Sequence, residues 1–205
     1  MNPFLIILFL FSINKIYAQK RALKKEIQVS VGKSFHGTGD MNGLYFNVLY
    51  EEYFKKRFSW SCGIGSTIHD GSFPVYFNDP NNQPIDGSVR YTTAGVQAIG
   101  NMGYSFLKSE ENTLQIRTGT LIRYQSSSYY DDVTVLYPAG SGLPIPVVIF
   151  QNKTPQRTLV LGGSIQLLYN YTLKHNISLG LLAGIQTDTR GDTISQLCAA
   201  IGKKF

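Results

Sequence analysis

The chain has 205 residues, 43% hydrophobic, 13% aromatic and only 16% charged, with 20 glycines and a formal net charge of +6. A mean hydropathy of −0.07 excludes a bundle of membrane-spanning helices, and the abundance of Tyr, Phe, Ile, Leu and Val excludes disorder. One domain fits the length, and two cysteines, Cys62 and Cys198, exclude a disulfide scaffold while leaving open whether they bridge.

The first element is a leader. Phe4 to Phe11 is an unbroken apolar run, followed by Ser12-Ile13-Asn14-Lys15-Ile16-Tyr17-Ala18-Gln19. The run is too short to cross a bilayer as a helix, which takes about 20 residues. It has the length of a signal-peptide core, with small Ala18 at the cleavage position. No Lys or Arg precedes it. The expectation is a cleaved signal over 1–18 and a mature chain over 19–205 with a net charge of +5.

Beyond the leader no helical period is sustained, whereas apolar and polar residues alternate with period two eight times. The expected strands are Glu26–Phe35, Gly43–Phe54, Phe58–His69 and Val89–Phe106, then Leu114–Tyr124, Thr158–Tyr171, Ile177–Gln186 and Thr193–Phe205. One face carries Ile27, Val29, Val31, Ile122, Leu181 and Leu197 in its middle stretches, with aromatics toward the ends. The other is rich in Gly, Ser, Thr, Asn and Gln. A soluble sandwich turns its large apolar residues inward. Here the small polar face suits the interior of a narrow closed barrel, and the apolar face suits lipid with aromatic girdles. Connections near Lys55–Arg57, Lys108–Asn112 and Thr172–Asn176 are short, while those at about 70–88 and 125–157 are long. Short turns at one end and longer loops at the other complete the pattern of an all-β, eight-stranded antiparallel up-and-down transmembrane β-barrel.

On these residues the chain resembles the small eight-stranded outer-membrane proteins, the superfamily of the outer membrane protein A barrel and outer membrane protein X. The C-terminal Leu197-Cys198-Ala199-Ala200-Ile201-Gly202-Lys203-Lys204-Phe205 carries alternating apolar residues and a terminal aromatic. Ile201 and Phe205 there resemble the signal read by the barrel-assembly machinery, although Lys203 interrupts the alternation. The leader ending in Ala-Gln and the lone barrel resemble proteins of the Bacteroidota. The resemblance implies residence in the bacterial outer membrane, among its lipids and lipopolysaccharide.

Charge sorts by side. The short-turn end holds Lys20, Arg21, Lys24, Lys25, Lys55, Lys56, Arg57, Lys108, Lys174, Lys203 and Lys204 against five glutamates. The loop end holds Asp40, Asp70, Asp79, Asp86, Asp131, Asp132, Asp188 and Asp192 against Arg90, Lys153, Arg157 and Arg190. The basic turns suit phospholipid phosphates or an acidic partner. A pI near 9.2 points to nucleic acid only in a cytosolic protein, so no nucleic-acid partner is expected.

Glu51 and Arg117 share inward parity and similar depth, and buried charges persist when paired. Together with Arg123, Gln97, Gln115 and Asn47 they are the expected polar network of the lumen, either a plug or a narrow conducting path. An eight-stranded barrel is only wide enough for side chains to fill. His36, His69 and His175 are the only histidines, and no cofactor or metal is implied. His69, beside Asp70 and Ser72 and within reach of Asp188, is the one place where hydrolase chemistry fits. A lipid A deacylase-like enzyme centred there is the alternative to a non-enzymatic role. In the long loops, Phe73, Tyr76, Tyr129, Tyr130, Tyr137 and Phe150 lie in apolar, strand-like runs. They are expected either to form a contact surface for an envelope protein, a surface or a ligand, or to pack on each other as a lid. The leading expectation is a non-enzymatic barrel whose outer loops bind.

Overall fold

The computed structural model describes residues 25–37, 41–78, 81–153 and 155–205. The leader, residues 19–24, Asp40 and Asp79 lie outside the described residues. In chain order the first strands are β1 (Lys25–His36), β2 (Met41–Tyr53), β3 (Phe58–Phe73), β4 (Tyr76–Asn78) and β5 (Pro84–Asp86). Next come β6 (Val89–Lys108), β7 (Asn112–Ser127), β8 (Asp132–Leu136), a helical turn α1 (Pro138–Ser141) and β9 (Val147–Gln151). The last are β10 (Arg157–Thr172), β11 (Ile177–Asp188) and β12 (Thr193–Lys204).

Eight of these close an antiparallel barrel in the order β1-β12-β11-β10-β7-β6-β3-β2. The seam is sealed by β1 and β12, in register at Val29 and Ile201, with Lys25 and Phe205 exchanging backbone hydrogen bonds of 3.2 and 2.9 Å. Closure leaves no open strand edge in the wall, which is what a β-protein needs in a medium that cannot hydrogen-bond its backbone. All eight wall strands overlap the segments expected from alternation; most run one to a few residues longer.

Parity sets the two faces. On β7, Thr113, Gln115, Arg117, Leu121, Arg123 and Gln125 are buried inward, while Ile122 and Tyr124 point out. Outward residues such as Ile64, Leu159, Leu161, Ile165, Leu181 and Leu197 form the apolar wall. Near the short-turn end it gains aromatic edges from Phe54, Phe58, Phe106, Tyr169 and Tyr171. Cys62 points outward from β3 and Cys198 is buried on β12; both thiols are free. A charge placed on this wall should cost most at the bilayer midplane. Ile165→Arg is expected to destabilise the barrel by about 2–4 kcal/mol, and Leu159→Arg, nearer the loop end, by at most about 1 kcal/mol. Urea unfolding into lipid measures both, and equal costs would mean that this wall does not face hydrocarbon.

The wall is uneven in height. β6 has 20 residues and β3, β7 and β10 have 16 each, whereas β1, β11 and β12 have 12. A tilted membrane strand needs only about 9–11. The β3-β6-β7-β10 side therefore rises past the bilayer and carries both long loops. Their hairpins, β4 with β5 and β8 with β9, are separate two-stranded ribbons.

The interior departs from the small polar filling expected. Leu49, Ile99 and Leu121 form one buried apolar cluster, and Tyr45, Leu168, Leu182, Cys198 and Ala200 another. Along β7, Leu121 lies between Arg117 and Arg123, so the apolar layer divides the polar lumen into two tiers. Small residues elsewhere make room for it: a Cβ at inward Gly119 would run into the carbonyl oxygen of Gly100 on the neighbouring strand.

Candidate functional site

The lower tier centres on an ion pair. Arg117 and Glu51, 1% and 2% exposed, meet at 2.6 Å between Nη2 and Oε2. Glu51 Oε1 accepts from Ser59 Oγ and from Gln115 Nε2, each at 2.6 Å. Arg117 Nε donates to Gln115 Oε1 at 3.1 Å and Nη1 to Gln28 Oε1 at 3.0 Å. Gln28 in turn donates to Asn170 at 3.2 Å. The structure thus joins Glu51, Arg117 and Gln115, and adds Ser59, Gln28 and Asn170. Parity marked those three as inward, but nothing local showed which strands would face each other across the lumen.

Gln97 and Asn47 are not in this tier. Gln97 Oε1 accepts from Arg123 Nε at 3.0 Å, and Arg123 also donates to Gln186 at 2.7 Å and pairs with Asp188 at 3.3 Å. Asn47 donates to the Tyr45 hydroxyl at 3.0 Å. The separation follows from the apolar layer, whose side chains occupy the intervening lumen.

At the top of the lumen His69 is fully buried and its Nε2 lies 2.8 Å from Ser34 Oγ. Its ring centroid is 5.4 Å from that of His36. The carboxylates expected around His69 are engaged elsewhere. Asp70 points outward and accepts from Thr92 Oγ1 at 2.6 Å, while Asp188 pairs with Arg123. Strand alternation explains this, since consecutive residues face opposite sides. His69 Nδ1 has no hydrogen-bond partner among the described residues, so none of their carboxylates orients the ring in the manner of a catalytic triad.

Asp192, in the connection between β11 and β12, lies 3.5 Å from His36 Nε2 and accepts from Gln125 Nε2 at 3.0 Å. His36, in contact at 3.5 Å without a hydrogen bond, and then the hydrogen bond from Gln125 hold its carboxyl down to about 2. A carboxyl whose pKa is lower folded than unfolded adds stability above its ordinary value of 3.8. That contribution fades as pH falls toward about 2. Asp192→Asn is expected to flatten this part of the stability curve, read as the temperature at which heat-resistant gel mobility is lost. An unchanged curve would show that the contact does not anchor the loop.

Above the barrel the loop aromatics divide. Met41, Tyr91 and Tyr130 form a buried cluster against which Phe73, Val133 and Phe150 pack. Tyr130 stands edge-on to Phe73 at 5.8 Å, tilted on Phe150 at 4.7 Å and stacked on Tyr129 at 4.9 Å. Such ring pairs add roughly 0.5–1.5 kcal/mol each beyond area burial. Of the expected contact residues, Phe73, Tyr130 and Phe150 therefore pack within a cap spanning both long loops. Tyr129 packs on its rim, half exposed, while Tyr76 and Tyr137 stay 75% and 68% exposed. Tyr91 and Met41, in barrel strands, gave no loop signal and were missed as cap members. Of the expected assembly residues, Ile201 points outward on β12 and Phe205 follows its last residue, both about half exposed.

No family model matches the chain, and no curated protein matches it. Solved structures do. Neisserial surface protein A is 11% identical, with a TM-score of 0.52 over 88% of this chain and 97% of that one. The attachment invasion locus protein Ail of Yersinia pestis, in complex with the heparin analogue sucrose octasulfate, is 10% identical. Its TM-score is 0.50 over 90% of this chain and 99% of that chain. At these identities the likeness is one of fold. The chain has the fold of small eight-stranded integral outer-membrane barrels, and its apolar wall is what that setting requires.

Proposed function

We propose that this outer-membrane protein is a non-enzymatic platform, a barrel anchor whose outer loops bind a partner, a surface or a ligand. The observation that supports the reading best is the aromatic cap. By packing the two long loops on each other and on Met41 and Tyr91, it holds them in one arrangement before any partner arrives, which lowers the ordering cost of binding. Beyond the cap, Tyr76, Tyr137, Leu136, Leu143 and Ile149 remain exposed, a concentration of apolar side chains typical of contact surfaces.

Charge narrows the partner. Ail is seen with a sulfated sugar analogue, but a soluble polyanion suits the loops above the headgroup level poorly. Here Asp70, Asp86, Asp131, Asp132, Asp188 and Asp192 outnumber Arg90, Lys153, Arg157 and Arg190. An envelope or surface protein with an apolar or basic face fits better. Outer-membrane lipid and lipopolysaccharide surround the wall, residues 1–18 direct export, and the barrel-assembly machinery reads Ile201 and Phe205. The test is to replace residues 132–151 with a short glycine–serine turn in the full chain, and to read surface binding and heat-resistant mobility together.

A further inference from the structure

The outer wall carries a groove that the loop reading does not use. It has a volume of about 450 Å³ and lies on the outward face of β2, β3, β6, β7 and β10, lined by Phe46, Ile64, Ala98, Ile122, Tyr124 and Leu159 among others. Its floor follows from the sequence of β6. There the outward position Ala98 is small, while Ile64 and Ile122, its register partners, rise on either side and outward Val96 lines the end toward the loops. The lining is apolar, and the position is in the half of the wall toward the loops.

A charge sits at the upper end. On β10, Arg157 is the next outward residue above Leu159, and its register partner Ser126 is the next above Tyr124. Counting about 9–11 residues of membrane strand upward from the aromatic Tyr171 reaches Leu161, so Arg157, four residues further along β10, stands at the level of the headgroups. Arg157 is exposed and has no hydrogen-bond or ion-pair partner among the described residues. Carboxylates of the neighbouring strands and loop are committed: Asp188 pairs with Arg123, Asp70 accepts from Thr92, and Asp131 and Asp132 accept from Lys153.

From this juxtaposition we infer that the groove and Arg157 form a binding site for the lipid A part of lipopolysaccharide, with one acyl chain in the groove and a phosphate on Arg157. The apolar slot explains an acyl chain, and an unpaired guanidinium at its headgroup end explains a phosphate, for which Arg offers bidentate charge-assisted hydrogen bonds. Lipid A supplies both in the outer leaflet. The site needs only the wall and is independent of what the loops bind.

The test uses the mature full chain, purified in mild detergent and offered hexa-acylated, bis-phosphorylated lipid A, with bound lipid counted by native mass spectrometry. Variants are Arg157→Ala and Ala98→Phe, the second filling the groove from a lipid-facing position. Heat-resistant gel mobility confirms that each has folded. One retained lipid A per barrel is expected, falling about tenfold in each variant and about tenfold for dephosphorylated lipid A on the native chain. Equal retention of phosphatidylglycerol would overturn the assignment to lipid A. Loss in Ala98→Phe alone would reduce the groove to a nonspecific acyl slot and overturn it too, as would a second copy of the chain seated there in place of lipid. A folded variant pair that retains lipid A like the native chain would refute the site outright.

Discussion

Arg117→Met is expected to destabilise the barrel by about 3–5 kcal/mol, because it leaves the Glu51 carboxylate buried without its cation. Ser59 and Gln115 still donate to Glu51 at 2.6 Å, but neutral donors do not replace a guanidinium at the same distance. Arg117 also joins Gln115 to Gln28, so its loss removes contacts between β7 and β1 across the lumen. The informative comparison is the double variant Glu51→Gln, Arg117→Met. Removing both charges takes away the uncompensated carboxylate, and most of the lost stability is expected to return. Urea unfolding into lipid gives the cycle. If the double variant falls as far as the sum of the singles, the pair is not coupled and the lower tier is only packing. The same variants read in planar bilayers address conduction. A plug predicts no conductance in the native chain, and a steady conductance there would favour the narrow-path alternative.

Replacing residues 132–151 with a short turn is expected to abolish surface binding while leaving the heat-resistant barrel intact. The segment contributes Val133 and Phe150 to the cap and carries exposed Tyr137 and Leu143. None of the eight wall strands includes any of it, and its ribbon pairs only with itself. A drop of more than about tenfold is expected if aromatic anchors dominate the contact, as they do in most interfaces. Tyr137→Ala separates two causes, since Tyr137 is exposed and outside the cap cluster. A large loss in that variant places binding at the tip. No loss there, with loss in the replacement, places it on the cap itself. Full binding in both sinks the platform reading, and loss of the heat-resistant form would make the loop a folding element.

The fold was legible because its signal is local and repeated. Alternation along each strand sets which side chains point in, and that decides barrel against sandwich without knowledge of any long-range contact. Inward parity likewise marked Glu51, Arg117, Arg123, Gln97 and Gln115 before any pairing was known. What parity does not carry is depth across the lumen. Gln97 and Gln115 have the same parity and residue type, yet one serves Arg123 and the other Glu51. The stagger of β6 against β7 and the Leu49–Ile99–Leu121 layer decide that.

His69 shows the same division from the other side. Its neighbours in sequence, Asp70 and Ser72, invited a catalytic grouping, but a pleated strand sends Asp70 out and His69 in, and the registers of β1, β2 and β3 bring it Ser34 across Gly43 instead. The loop aromatics were visible as apolar runs, whereas their division into buried Tyr130 and exposed Tyr137 depended on which ring could reach Tyr91 and Phe73. By itself, then, the sequence determined the number of wall strands, the inward and lipid-facing sets and the two long loops, since each depends on period and composition within a short window. Only the tertiary structure decided which inward groups share a tier, which aromatics make the cap and where the outer wall is hollow. Those properties belong to residues far apart in the chain, brought to one depth by strand stagger and barrel closure.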